Sequence, residues 1–174
     1  MNVALLVLRV VVGGLFIGHG SQKLFGWFGG HGPKGTASFF ENLGLRPALP
    51  FALLAGTSEL VGGLLLGFGL FVPVAALLLV AVMTTATAAV HWRNGLWVTA
   101  GGFEYPLVLG SVAFAVAAIG PGSISLDDAF GIDWSGLGLA VAAALIGCLG
   151  GLIVVALGRL ARRTTRRQPQ AHTA

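Results

Sequence analysis

Residues 5–26 read LLVLRVVVGGLFIGHGSQKLFG, an apolar run long enough to cross a bilayer, which takes roughly 20 helical residues. At about 100° per residue, its two cations share one helical face with two glycines and a phenylalanine: Arg9, Gly13, Phe16, Gly20 and Lys23. A cation that faces lipid costs several kcal/mol, so this face is predicted to point into a protein bundle. Its glycines would let a neighbouring helix approach closely.

The whole chain has the composition of a membrane protein. Of its 174 residues, 56% are hydrophobic and 9% are charged, with a mean hydropathy of +0.90, whereas soluble domains carry about 25% charged residues. The net charge of +4 comes from basic residues around the apolar runs, which indicates positive-inside topology and no nucleic-acid partner. With one cysteine, Cys148, the chain has no intramolecular disulfide and no dithiol pair.

Five apolar segments predict an all-α membrane protein, a four-helix transmembrane bundle plus a fifth transmembrane helix. The spans are placed at residues 3–23, 50–71, 74–92, 103–119 and 137–157. Residues 1–128 would hold the first four spans and residues 129–158 the fifth. The basic residues 159–174 are predicted to be a disordered cytoplasmic tail. Ser38 and Glu41 have capping-box spacing, which predicts a short interfacial helix that starts at Ser38.

The distribution of charge predicts the orientation of the chain in an inner (plasma) membrane. In the five-span arrangement, nine of the ten Lys and Arg residues fall on one side. The positive-inside rule therefore predicts an external N-terminus and a cytoplasmic C-terminus. The fourth loop, with Asp127, Asp128 and Asp133, would lie outside. These aspartates lack EF-hand spacing and are expected in a solvated loop, not at a metal.

Two charges, Arg9 in the first span and Glu59 in the second, are predicted to pair with each other. Each would otherwise be an unpaired charge within hydrocarbon. Small residues surround Glu59 on its helical wheel, which indicates that its face meets another helix. The pair would either fix the register of the two helices or line a functional site.

A second set of polar residues, His19, Lys23, His91 and Glu104, is predicted to line a cytoplasmic-side pocket. Such a pocket would present cationic and hydrogen-bonding groups to an anionic or quinone-like ligand. The alternatives are snorkelling of Lys23 and ordinary helix capping by Glu104, or haem ligation by the two histidines. No catalytic motif, metal site or covalently bound cofactor is predicted, and quinone is the non-covalent cofactor that such a pocket would bind.

Four separated motifs occur in order along the chain: Arg9-x-x-x-Gly13-x-x-Phe16-x-x-x-Gly20-x-x-Lys23-Leu24-Phe25, Glu59-Leu60-x-Gly62-Gly63-x-Leu65-Leu66, Gly102-x-Glu104-Tyr105, and Gly120-Pro121-Gly122 before Ser125-Leu126-Asp127. Together they resemble the DoxX family of small bacterial membrane proteins. The resemblance implies a four-helix bundle, with Arg9, Lys23, Glu59 and Glu104 as site residues. It also implies thiosulfate oxidation coupled to quinone, or a membrane oxidoreductase complex with a sulfurtransferase and superoxide dismutase.

Three functional classes stay open at this point. The first is a membrane subunit that supports a quinone-linked or thiol and oxidative-stress oxidoreductase system, with a partner protein doing the chemistry. The second is a small-solute or proton-coupled transporter with Arg9 and Glu59 as its charge relay. The third is a membrane scaffold or assembly factor. In each class the bilayer is a partner, and the glycine-rich faces permit a homo-oligomer.

Overall fold

The fold is described by a computed structural model that covers residues 2–166. Over these residues the chain forms seven α-helices and no strands. The helices are α1 (Asn2–Phe25), α2 (Gly32–Asn42), α3 (Ala48–Phe68), α4 (Val72–Ala86), α5 (Glu104–Ile119), α6 (Leu126–Ala129) and α7 (Leu137–Arg166). A π-helical segment, Thr87–His91, and a 3-10 turn, Trp92–Asn94, prolong α4.

The helices have the lengths and composition of a multi-pass membrane bundle. Four of those described are long and apolar enough to cross a bilayer: α1, α3, α4 with its prolongation, and α7. Helix α5 is apolar but has 16 residues, about 24 Å, against a hydrocarbon core of about 30 Å. The predicted all-α membrane fold is confirmed, and the fourth predicted span is the shortest of the five predicted spans.

Helix α4 lies at the centre of the bundle and packs against α3, α5 and α7, while α1 packs along α3. The central core is built from buried side chains of five helices, and its fully buried members include Phe16, Leu66, Leu79, Val116 and Ala140. The stripe predicted on α1 is confirmed, because Arg9, Gly13, Phe16 and Gly20 are all buried. This stripe is the surface of α1 that meets α3.

Two glycines join α7 to the bundle. A Cβ atom at Gly147 would lie 2.8 Å from the Leu77 carbonyl oxygen, and one at Gly151 would lie 2.5 Å from that of Ala81. Because only glycine permits this approach, the close-packing spacing has the role in helix contact that the sequence indicates. Helix α7 also continues to Arg166, so the prediction of disorder is wrong for residues 159–166. Residues 167–174 lie outside the described part.

Two predicted boundaries are wrong for local reasons. Helix α2, the helix predicted to be interfacial, starts at Gly32 with a proline in its first turn, where proline is preferred. Ser38 therefore lies within the helix and donates a hydrogen bond to the Lys34 carbonyl oxygen at 3.1 Å. Helix α3 ends at Phe68 and not at residue 71, because Gly69 adopts a left-handed conformation (φ 65°) that terminates helices.

Candidate functional site

The intramembrane carboxylate Glu59 is paired with Lys23. The Lys23 ammonium donates to both carboxylate oxygens, at 2.6 and 2.8 Å. The side chain of Glu59 is 4% exposed and that of Lys23 is 25% exposed. The predicted pairing of Arg9 with Glu59 is therefore wrong.

The register of α1 against α3 explains why Lys23 is the partner. A Cβ atom placed on Gly13 would contact Gly63 and Gly67, and one placed on Gly20 would contact Gly56 and Leu60. Gly13 therefore faces the first pair of residues and Gly20 the second. In this antiparallel pair, Glu59 is about level with residue 19, four residues from Lys23 but ten from Arg9. At 1.5 Å per residue these offsets are about 6 and 15 Å, and only the shorter one is within reach of a side chain.

Two further side chains complete a polar cluster around this ion pair. The rings of His19 and Tyr105 meet edge to face, with centroids 6.2 Å apart. The positive charge of Lys23 influences the imidazole of His19, and the negative charge of Glu59 influences the phenol of Tyr105. We call these four residues the Lys23 cluster. Tyr105 was absent from the predicted site, although it stands in the Gly102-x-Glu104-Tyr105 motif.

The other two residues of the predicted cytoplasmic-side pocket bond to the loop between α4 and α5. His91 Nδ1 lies 2.7 Å from the Gly101 carbonyl oxygen, and Glu104 Oε2 accepts a hydrogen bond from the Val98 amide at 2.8 Å. Since His91 contacts Gly101 and His19 contacts Tyr105, the two rings have different partners. Haem ligation by the histidines gains no support from this arrangement.

Arg9 is buried at the other end of α1, with 1% of its surface exposed. Its guanidinium donates to the Ile124 carbonyl oxygen and lies against Gly69. Asp127, also 1% exposed, acts electrostatically on Arg9. Its Oδ1 accepts a hydrogen bond from the Phe71 amide at 2.9 Å. We call Arg9, Ile124 and Asp127 the Arg9 clasp, since they hold the loop after α5 onto the turn between α3 and α4.

The expectation that Asp127 lies in a solvated loop is therefore wrong, whereas Asp128 and Asp133 are exposed as expected. The short helix α6 explains the difference. Ser125 caps α6 by accepting a hydrogen bond from the Asp128 amide, which turns the preceding carboxylate inward. The sequence signal for this was a serine three residues before an aspartate, a common helix start.

An apolar cleft of about 590 Å³ adjoins the clasp, between α1, α3 and the loop that precedes α6. Apart from Arg9, its lining is mostly aliphatic, aromatic or glycine: Leu6, Val10, Gly14, Ile17, Leu64, Gly67, Phe68 and Leu126. Within the described residues, Arg9 Nε and Nη1 are buried and have no hydrogen-bond partner. This Arg9 cleft therefore combines an apolar lining with a cationic hydrogen-bond donor.

A metal role for the carboxylates and histidines receives no support. Among the residues that the structure describes, no group of three or more His, Cys, Asp or Glu side chains is arranged to hold a metal ion. The chemistry that these polar centres can perform is charge pairing, hydrogen bonding and proton exchange. The Arg9 cleft is the centre with buried, unoccupied donors next to space for a ligand.

Removal of the Asp127 carboxylate is expected to loosen the Arg9 clasp. Asp127→Ala leaves the Phe71 amide without its acceptor and removes the negative charge that opposes Arg9, which is expected to cost about 2 kcal/mol. The measurement is the thermal midpoint of the purified protein in detergent. Asp128→Ala removes an exposed carboxylate one residue away and should leave the midpoint unchanged. Equal midpoints for the two variants would contradict the clasp.

Two comparisons with known proteins find similarity to this chain. The DoxX family model matches residues 4–92, which span α1 to the prolongation of α4. The Bacillus subtilis (strain 168) protein named "Putative oxidoreductase CatD" is 30% identical over 115 residues, covering 66% of this chain and 79% of that protein. No solved structure matches the chain.

Proposed function

The chain belongs to the DoxX family, and from this premise we propose that it is the membrane subunit of an oxidoreductase system, with a quinone-type molecule bound in the Arg9 cleft. The observation that carries the proposal is a buried guanidinium with two unoccupied nitrogens beside an apolar cleft. Its DoxX relative in Bacillus subtilis, which has oxidoreductase in its name, supports the redox assignment.

The chemistry of the cleft favours a neutral acceptor on an apolar body. A quinone ring is apolar and carries carbonyl oxygens that accept hydrogen bonds. Because Arg9 Nε and Nη1 are buried, the guanidinium would turn toward the cleft to donate to them. Because Asp127 already opposes the charge of Arg9, the ligand need not be an anion. A pocket with an apolar lining and few polar groups is typical of small-molecule sites.

The exposed side chains at the edge of the Arg9 cleft would let a quinone enter it from the bilayer. Val10, Leu64 and Phe68 line the cleft, and they are 55%, 38% and 61% exposed. In a membrane bundle such exposed apolar side chains face lipid. The apolar tail of a quinone would therefore remain among acyl chains while its ring enters the cleft.

The electron donor for this quinone is proposed to be a partner protein. The chain has a single cysteine and hence no dithiol pair, and its sequence carries no dinucleotide-binding motif. A soluble or membrane oxidoreductase from a thiol or oxidative-stress system would supply the electrons. The role of this chain is then to bind and orient the quinone.

The proposal is tested by filling the cleft from a glycine that has room. A Cβ at Gly14, which lines the cleft, meets nothing within 4 Å. Gly14→Phe is therefore expected to weaken binding of a short-chain quinone in nanodiscs by about tenfold or more, equivalent to roughly 1.4 kcal/mol. Gly18→Phe is the matched control, because Gly18 is also unobstructed but does not line the cleft.

Two results would overturn the proposal. One is quinone binding that is equal in Gly14→Phe, Gly18→Phe and the unchanged protein. The other is an absence of quinone binding together with proton or solute flux in proteoliposomes. The latter would favour transport, with the relay at Lys23 and Glu59, since Arg9 is not the partner of Glu59.

A further inference from the structure

A cavity of about 820 Å³ lies at the opposite end of the bundle from the Arg9 cleft. It is enclosed by the end of α2, the prolongation of α4 and the C-terminal part of α7. Among the residues that the structure describes, its lining contains three arginines and no acidic residue, and it includes Asn42, Leu43, Ala88, Trp92, Arg93, Arg159 and Arg162. We call it the arginine cavity.

Irregular backbone and close packing build this cavity. The π-helical segment at Thr87–His91 ends the regular hydrogen bonding of α4, and Arg159 donates to the Ala88 carbonyl oxygen at 3.2 Å. The Arg46 amide donates to the Gly158 carbonyl oxygen at 3.2 Å, which fixes the chain after α2 against α7. Two of the cavity's walls are therefore tied to α7 by hydrogen bonds.

The length of α7 and two exposed tryptophans favour a position of the cavity at the depth of lipid headgroups. Helix α7 has 30 residues, about 45 Å, so one end extends beyond a hydrocarbon core of about 30 Å. Trp92 and Trp97, which mark the same end of the bundle, are each 66% exposed, as is typical of aromatic residues at a membrane interface. The positive-inside rule predicts that this end is cytoplasmic.

We propose that the arginine cavity binds the phosphate diester headgroup of an anionic phospholipid. Guanidinium groups match phosphate oxygens with paired hydrogen bonds, and basic pockets between transmembrane helices at the cytoplasmic side take anionic headgroups. The Glu41 carboxylate, next to Asn42 in sequence, is bound by Arg46 at 2.5 Å. The charge of this carboxylate is thereby offset.

The test compares lipids with identical acyl chains by native mass spectrometry of the full-length protein. Phosphatidylglycerol is expected to stay bound after phosphatidylcholine has been lost. Each of R93Q, R159Q and R162Q should weaken phosphatidylglycerol binding by roughly fivefold, the effect of one cation near an anionic surface. Lys34→Gln is the control, because it removes an exposed charge of α2 that does not line the cavity.

Several outcomes decide the proposal. Equal retention of the two lipids, or the same loss with Lys34→Gln as with the arginine variants, would overturn it. Full competition by millimolar inorganic phosphate would assign the cavity to soluble phosphates and not to lipid. If the Arg159 variant misfolds, the double variant R93Q/R162Q is used, since both side chains are exposed.

Discussion

Lys23→Met is expected to destabilise the bundle by about 3 kcal/mol, at the lower end of the range for breaking a buried ion pair. The substitution leaves the Glu59 carboxylate, 4% exposed, without the ammonium that binds both of its oxygens. The Lys23 side chain is a quarter exposed, so solvent already weakens part of the attraction. The thermal midpoint in detergent should fall by roughly 10 °C.

The double variant Lys23→Met, Glu59→Leu separates the pair from the packing around it. Replacing both charges with apolar groups removes the buried carboxylate, so most of the lost stability should return. Arg9→Met measures a different centre and should not be rescued by Glu59→Leu. Rescue of Arg9→Met by Glu59→Leu would restore the pairing that the structure contradicts.

Helical periodicity was sufficient to predict which face of α1 is buried. Arg9, Gly13, Phe16 and Gly20 lie on that face because 3–4 spacing fixes the angle of a side chain about its helix. Four of the five spans predicted from the lengths of the apolar runs are helices of spanning length, and the remaining one, α5, is shorter. Angle and length are local properties, so one sequence is enough to derive them.

Helical periodicity does not predict the depth of a residue along the axis of the bundle. The partner of Glu59 depends on how far α1 is shifted along α3, and the glycine contacts at Gly13 and Gly20 set that shift. Arg9 and Lys23 lie on the same face of α1, so helical periodicity makes either of them a candidate partner for Glu59. Asp127 was missed for a related reason, because its burial depends on a loop folding back over the turn between α3 and α4.

The shift of α1 along α3 also determines which cation of α1 has hydrogen-bond donors left for a ligand. It places one cation of α1 in each half of the bundle. Lys23 pairs with Glu59, while Arg9 lies beside a cleft and keeps two nitrogens without a hydrogen-bond partner among the described residues. The Lys23 ammonium donates to both carboxylate oxygens of Glu59, so its charge is balanced. Arg9, with Nε and Nη1 unsatisfied among the described residues, has capacity for a ligand, which is why the proposed quinone site is at Arg9.

Gly20→Ala and Gly18→Ala are expected to change stability in opposite directions, although each adds one methyl group to the same helix. At Gly20 the new Cβ would lie 2.7 Å from the Leu60 amide nitrogen and 2.8 Å from the Gly56 carbonyl oxygen. These are backbone atoms of α3, so the two helices must move apart. Overpacking of this kind costs about 2–3 kcal/mol.

At Gly18 the new Cβ meets nothing within 4 Å, and alanine favours helix over glycine by about 0.5–1 kcal/mol. Gly18→Ala should therefore raise the thermal midpoint in detergent while Gly20→Ala lowers it by several degrees. Because both variants carry the same side chain, helix propensity and expression affect them alike, and the difference reports the α1–α3 contact. A Gly20→Ala midpoint equal to that of Gly18→Ala would mean that α1 and α3 are further apart, and the register that pairs Lys23 with Glu59 would then lose its basis.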